Sequence, residues 1–108
     1  DVAGDGTDAA LFRSYSDSWG DKDAYATSHI GWGMNNAARW DTLPLYDKSQ
    51  TNGTEQRAFA GNFLYSTGAN EHAGRHTLGH FDLPMRNHSL TLDGESIVID
   101  GVLQGELA

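Results

Sequence analysis

Cysteine is absent from this 108-residue sequence, and proline occurs only twice. Without cysteine there are no disulfides, no thiolate nucleophile and no zinc or iron–sulfur centre with sulfur ligands. The absence is compatible with a reducing compartment. The hydrophobic fraction is only 38% and there are 13 glycines, which favours a small, loop-rich fold. Eleven aromatic residues (three Trp, four Tyr and four Phe) are spread along the chain, so we expect a folded domain and not a disordered segment.

Basic residues are also scarce, because 7 Lys and Arg stand against 15 Asp and Glu and give a net charge of −8. No basic cluster is present, so neither nucleic acid nor an anionic membrane is an expected partner. No apolar run approaches the roughly 20 residues of a membrane span, and no signal peptide is recognisable. The length suits one domain. The sequence starts with Asp1 and not Met, so we expect a processed, trimmed or partial chain.

The first half of the sequence predicts one helix and one strand. Thr7 is a candidate helix cap, Leu11, Tyr15 and Trp19 recur every four residues, and Gly20 ends the pattern. Alternating residues predict a strand over about 24–34, in which glycines on both sides of Trp32 indicate a bulge or a close backbone contact. Residues 35–55 are irregular, and we expect this segment to line a site or meet a partner subunit.

The second half is dominated by β signals. Residues 57–66 predict a strand and 69–79 a loop, and two Asp-Gly pairs predict tight turns between short strands in the last 20 residues. The predicted fold class is therefore α+β, with a short N-terminal helix and a mainly antiparallel sheet.

The stretch GHFDLPMRNHSL, residues 79–90, holds the strongest chemical pattern. His80 and Asp82 are two positions apart, so on a strand both side chains lie on one face. His29, in the middle of the first predicted strand, is the candidate third member and is expected to approach the pair from a neighbouring strand, although a core histidine bonded to the backbone is the commoner case for such a position. Two histidines and one carboxylate suit non-haem Fe(II), but zinc uses the same residue types, so the ligands alone do not name the metal.

Three blocks, SHIGWGMNNAARWD, RAFAGNFLYSTGAN and GHFDLPMRNHSLTLDG, resemble in order and spacing the C-terminal part of the 2,5-dihydroxypyridine 5,6-dioxygenase family. These enzymes open a pyridine ring in bacterial nicotinate breakdown, and their fold is related to that of aminopeptidase T-type metallopeptidases. The resemblance implies that residues 1–108 are the C-terminal metal-binding domain of a larger two-domain protein, with residues 1–7 as a flexible lead-in. The N-terminal domain, which should supply the acid–base residue, is absent from this chain, so no catalytic residue is assigned.

By position, the resemblance implies that His29, His80 and Asp82 bind Fe(II) and that Ser66 contacts the substrate. It also implies a small aromatic substrate, O2 as co-substrate, a bacterial cytoplasmic location and a homo-oligomer. The loop ANEHAGRHTLG departs from the family pattern, which leaves the exact ring substrate open.

Two alternatives remain at this point. One is a metallopeptidase-like hydrolase with two metal ions, which would need additional Glu ligands, and no Glu here lies in such a pattern. The other is a non-catalytic β-rich assembly domain that uses its histidines structurally.

Overall fold

The computed structural model describes residues 2–108 and confirms the α+β class. The helices are α1 (Thr7–Ser18) and α2 (Thr54–Ala58). The strands are β1 (Thr27–Trp32), β2 (Phe63–Asn70), β3 (Arg75–Met85), β4 (Leu90–Leu92), β5 (Glu95–Ile99) and β6 (Val102–Leu103). Short 3₁₀ helices cover Lys22–Tyr25, Trp40–Leu45, Lys48–Gln50, Glu71–Ala73 and Gly105–Leu107. Within residues 2–108, no helix has both the length and the apolar character needed to span a membrane.

The strands form two three-stranded sheets, ordered β1-β2-β3 and β4-β5-β6. Both pairs of the second sheet are antiparallel. In the first sheet only residues 71–74 separate β2 from β3, which is too short for a parallel crossover. Backbone bonds join Ala26 to Gly68 and Gly33 to Asn62, so β1 and β2 also run in opposite directions. The mainly antiparallel arrangement predicted from the sequence is thus confirmed.

The chain divides into two compact units. The first unit holds the described residues up to Ile30 together with Tyr65–Asp82, and the second holds Gly31–Leu64 with Leu83–Ala108.

In the first unit, α1 covers one face of β3. The ring of Phe81 meets Phe12 and Tyr15 edge to face, at centroid distances of 5.1 and 5.0 Å. Phe12 also meets Tyr25, at 6.0 Å. Strand residues alternate between faces, so the helix packs on the face opposite to His80 and Asp82. Apolar packing on one side therefore leaves the polar side of β3 uncovered by the helix.

The predicted helix is confirmed, but two of its details are wrong. Gly6, and not Thr7, occupies the cap position, and Thr7 lies inside the helix. Leu11 is 62% exposed, so of the expected stripe only Tyr15 and Trp19 pack, and Phe12 is buried in place of Leu11. Gly20 has a φ of +62° directly after the helix, as expected for a glycine that ends one.

The bounds of the strands differ from the predicted bounds more than those of the helix do. The first strand is shorter than 24–34, because the Asp21 carboxylate accepts a hydrogen bond from the Asp23 amide and starts a 3₁₀ turn there. The predicted strand 57–66 is shifted, since residues 54–58 are helical and β2 begins at Phe63. Most of the predicted loop 69–79 is strand, with Arg75 beginning the eleven residues of β3.

The second unit contains the two predicted Asp-Gly turns. Asp93 and Gly94 have φ values of +52° and +86°, and Asp100 and Gly101 have +48° and +79°. Positive φ at both central residues is the type I′ pattern that joins twisted antiparallel strands. Val98 of β5, fully buried, lies at the centre of this hairpin.

His88 also belongs to the second unit, where its ring lies 5.3 Å from that of Phe63. Within residues 2–108, neither ring nitrogen of His88 has a hydrogen-bond partner. Burial lowers the pKa of this histidine, so the neutral ring is favoured. His88 is therefore a packing residue in this structure.

Glycines allow close approach at two places. A Cβ on Gly33 would lie 2.1 Å from the Phe59 carbonyl oxygen, which confirms the close backbone contact expected beside Trp32. Gly68 of β2 has a φ of +103°, and a Cβ there would lie 1.9 Å from the carbonyl oxygen of Gly79 on β3. The register of β2 against β3 therefore depends on glycine at position 68.

Replacing Gly68 by Ala is expected to destabilise the chain by roughly 3 kcal/mol or more, because the methyl group meets backbone and the φ is unfavourable. Gly31→Ala is the matched control, since a Cβ there meets nothing within 4 Å and its φ is ordinary. It should stay within about 1 kcal/mol of the parent. Urea unfolding measures both, and equal effects would contradict the proposed close approach of β2 and β3.

Candidate metal centre

His29, Ser66, His80 and Asp82 come together on one face of the first sheet. All four belong to the first unit. His29 lies on β1, Ser66 on the central strand β2, and both His80 and Asp82 on β3. His29 was expected on the strand next to His80 and Asp82, but β2 lies between them. Its side chain reaches Asp82 across the small side chain of Ser66.

The shortest contacts of this cluster meet at one carboxylate oxygen. The Ser66 hydroxyl donates to Asp82 Oδ1 at 2.5 Å, and His80 Nε2 lies 3.1 Å from the same oxygen. His29 Nε2 is 3.0 Å from Ser66 Oγ and 4.0 Å from Asp82 Oδ1. The two imidazole rings stack with centroids 5.6 Å apart. The predicted convergence of His29, His80 and Asp82 is thus present in the structure.

The hydrogen bonds within this cluster leave several lone pairs of oxygen and nitrogen atoms close together. Ser66 has one hydroxyl hydrogen, and giving it to the Asp82 carboxylate leaves oxygen lone pairs facing His29 Nε2. His29 Nε2, 3.0 Å from this oxygen, either donates an Nε2–H to it or carries a lone pair that a metal cation can accept. The donor set of two imidazoles and a carboxylate is one that divalent transition metals accept.

The other nitrogen of His29 is also occupied. Ser28 is buried, and its hydroxyl donates to the Ala69 carbonyl on β2. The same oxygen lies 3.3 Å from His29 Nδ1, so it can accept from an Nδ1–H group in the tautomer whose Nε2 is free to bind a metal. This tautomer leaves Nε2 as the coordinating atom and aims it at Ser66 and Asp82. Sequence reasoning missed this contact, because neighbouring strand residues normally point to opposite faces.

The distances between the proposed donor atoms are close to those of a metal site, but not all of them fit. Two atoms that each lie about 2.1 Å from one ion are about 3–3.5 Å apart. The contact between His80 and Asp82 meets this spacing, whereas His29 Nε2 is slightly farther from Asp82. Among residues 2–108, no group of three or more His, Asp or Glu side chains meets the full geometry of a metal site.

A cavity of about 670 Å³, open to solvent, adjoins the cluster and is lined by its two histidines. The side chains of His29 and His80 are 50% and 44% exposed, and that of Asp82 is 26% exposed. The segment around His72, predicted as a loop, contributes to this cavity. The lining residues are Ser28, His29, Ala69, Asn70, Glu71, His72 and His80.

Comparison with known proteins gives three concordant results. The family model for 2,5-dihydroxypyridine 5,6-dioxygenase (NicX) matches residues 1–105. The chain is 40% identical over 98 residues to the 2,5-dihydroxypyridine 5,6-dioxygenase of Pseudomonas putida, which covers 89% of this chain and 28% of that protein. A solved structure of 2,5-dihydroxypyridine dioxygenase from Pseudomonas putida KT2440 superposes with a TM-score of 0.87 and 38% identity, over 94% of this chain and 30% of that one. The chain thus spans less than a third of each relative.

Proposed function

Because the chain belongs to the 2,5-dihydroxypyridine 5,6-dioxygenase family, we propose that it is the metal-binding part of a non-haem Fe(II) dioxygenase that cleaves a hydroxylated N-heterocyclic ring. The observation that carries the proposal is the convergence of two imidazoles and a carboxylate on one face of a sheet. The substrate is 2,5-dihydroxypyridine or a similar ring from nicotinate degradation, in line with the name of the relative.

The proposed ligands are His29 Nε2, His80 Nε2 and the Asp82 carboxylate. Three protein ligands on one side of an ion leave positions for small molecules on the other side. Fe(II), when bound, would supply the activation of O2 and a docking point for a ring hydroxyl. Ser28 holds the tautomer of His29 that presents Nε2, and the rigid strand backbone holds His80 and Asp82 two residues apart on one face.

Ser66 is proposed to bind the substrate. Its hydroxyl lies within hydrogen-bond distance of both His29 and Asp82 in the structure. Ser66 is buried in this structure, so its hydroxyl reaches a polar group of the ring only if those two side chains turn to a metal ion and expose it. The cavity beside the cluster is large enough for a single six-membered ring.

The rest of the active site is proposed to come from outside this chain. The cluster is open on its cavity side, and a ring-cleaving site must exclude water there. An N-terminal domain, matching the remaining length of the relatives, would supply that wall and the acid–base residue. The same proposal includes a bacterial cytoplasmic protein that assembles as a homo-oligomer.

Asp82→Asn tests the metal ligands. The amide is a far poorer ligand than a carboxylate, so Fe(II) affinity measured without oxygen should fall. We expect a loss of about 100-fold or more, because mutating residues that only hydrogen-bond to a metal ligand already costs up to about 100-fold. Asp93→Asn, the same change in an exposed turn whose positive φ Asn tolerates, is the control. Elemental analysis of the parent should find one iron per chain. Two zinc ions would support the hydrolase alternative, and unchanged affinity in Asp82→Asn would contradict the ligand assignment.

Ser66→Ala in the complete enzyme should keep its iron, because the three proposed ligands remain, and should bind the ring about 10-fold more weakly, the value of one hydrogen bond. Anaerobic substrate titration monitored by ring absorbance measures the affinity. Ser96→Ala, a change at an exposed position of β5, should change neither quantity. Loss of iron from Ser66→Ala would show that the hydroxyl serves the metal site instead.

The 108-residue chain alone should be nearly inactive in ring opening while still binding Fe(II), because its cluster lacks the proposed second wall. The test adds 2,5-dihydroxypyridine and oxygen to the iron-loaded chain and records the loss of ring absorbance. Turnover equal to that of a full-length relative would show that no further domain is needed.

A further inference from the structure

His80 lies on a free edge of the first sheet. In the part of the chain that the structure describes, the sheet order is β1-β2-β3, so β3 pairs with β2 on one side only. Gly79 faces β2, where its carbonyl approaches Gly68. Backbone groups of successive strand residues point to opposite sides, so the N–H and C=O of His80 point away from β2. An edge residue in this position has no strand to receive its hydrogen bonds.

The hydroxyl of Tyr15 takes the place of a neighbouring strand at His80. It donates to the His80 carbonyl oxygen at 2.6 Å and accepts from the His80 amide at 3.1 Å. A phenol can do both, because it carries one hydrogen and two lone pairs. A single side-chain atom of α1 thus replaces the missing neighbour strand at one residue, and that residue is a proposed metal ligand.

The ring that carries this hydroxyl is held by packing. Tyr15 meets Phe81 edge to face, and it meets Trp19 at a centroid distance of 5.9 Å. Phe81 follows His80 directly and points to the opposite face, toward α1. The helix therefore holds β3 at two adjacent residues, through the side chain of Phe81 and through the backbone of His80.

We infer that Tyr15 is a positioning residue of the metal site, which fixes the backbone of His80 so that its imidazole meets Asp82. The inference rests on the proposed function in one respect, namely that His80 is a ligand. Tyr15 lies on the face opposite to the cluster and does not touch the metal or the substrate. Its effect passes through the backbone, so the side chain can be altered without removing any ligand.

Tyr15→Phe isolates the hydroxyl because the ring and its packing remain. Tyr25→Phe is the matched control. Among residues 2–108 the Tyr25 hydroxyl bonds only to α1, at the Arg13 carbonyl and the Asp17 carboxylate, while its ring packs on Phe12. Both variants lose a hydroxyl from the same aromatic cluster, but only Tyr15→Phe removes the hydrogen bonds to the His80 backbone.

Two readouts separate positioning from a general loss of stability. In the metal-free chain, hydrogen exchange of the His80 amide should become about 10-fold faster in Tyr15→Phe and stay unchanged in Tyr25→Phe. With Co(II) as the probe, Tyr15→Phe should bind about 10-fold more weakly, the lower end of the effect of groups that orient ligands. Its visible Co(II) absorption bands should also shift, a change that a purely structural role would not produce.

His80→Ala distinguishes failure of this inference from failure of the proposed function. If His80→Ala loses Co(II) affinity while Tyr15→Phe matches Tyr25→Phe in exchange, affinity and spectrum, Tyr15 is not a positioning residue and the ligand assignment stands. If His80→Ala binds Co(II) as the parent does, the proposed function itself is wrong, and the role of Tyr15 at a ligand falls with it.

Discussion

The hydrogen bond from Ser66 to the carboxylate of Asp82 is the contact around which the candidate site is organised. It joins the central strand to β3, and its acceptor oxygen is the point that both histidines approach. The outer strands of a three-stranded sheet are almost 10 Å apart, so side chains from β1 and β3 meet only over a small central residue. Serine satisfies this requirement and also provides a polar atom between the two sides.

Two other features of the first unit support that arrangement. The close approach of Gly68 to Gly79 sets the register that brings Ser66 opposite Asp82. Packing of α1 against Phe81 uses one face of β3 for the small apolar core and leaves the other face for chemistry. Because the apolar and polar residues alternate along one strand, the core and the site are built from the same short segment.

Local patterns were sufficient to predict much of this from sequence. The parity of His80 and Asp82 fixed their shared face, and the two Asp-Gly pairs fixed the hairpin turns of the second unit. The loop predicted before His80 was wrong, because Gly79 lies within β3, where the absence of a Cβ leaves room for Ala24 and Trp19. The contribution of Ser28 and the contact from Tyr15 could not be predicted, since both depend on long-range pairing that no local pattern encodes.

The central claim is that His29, His80 and Asp82 hold one iron ion. The most direct measurement is a crystal structure of the chain loaded with Fe(II) and kept without oxygen, with data collected at the iron absorption edge. The account predicts one anomalous peak about 2.0–2.2 Å from both Nε2 atoms and from a carboxylate oxygen of Asp82, the usual bond lengths for such donors. An iron peak elsewhere, or one whose ligands exclude any of these three side chains, would contradict it.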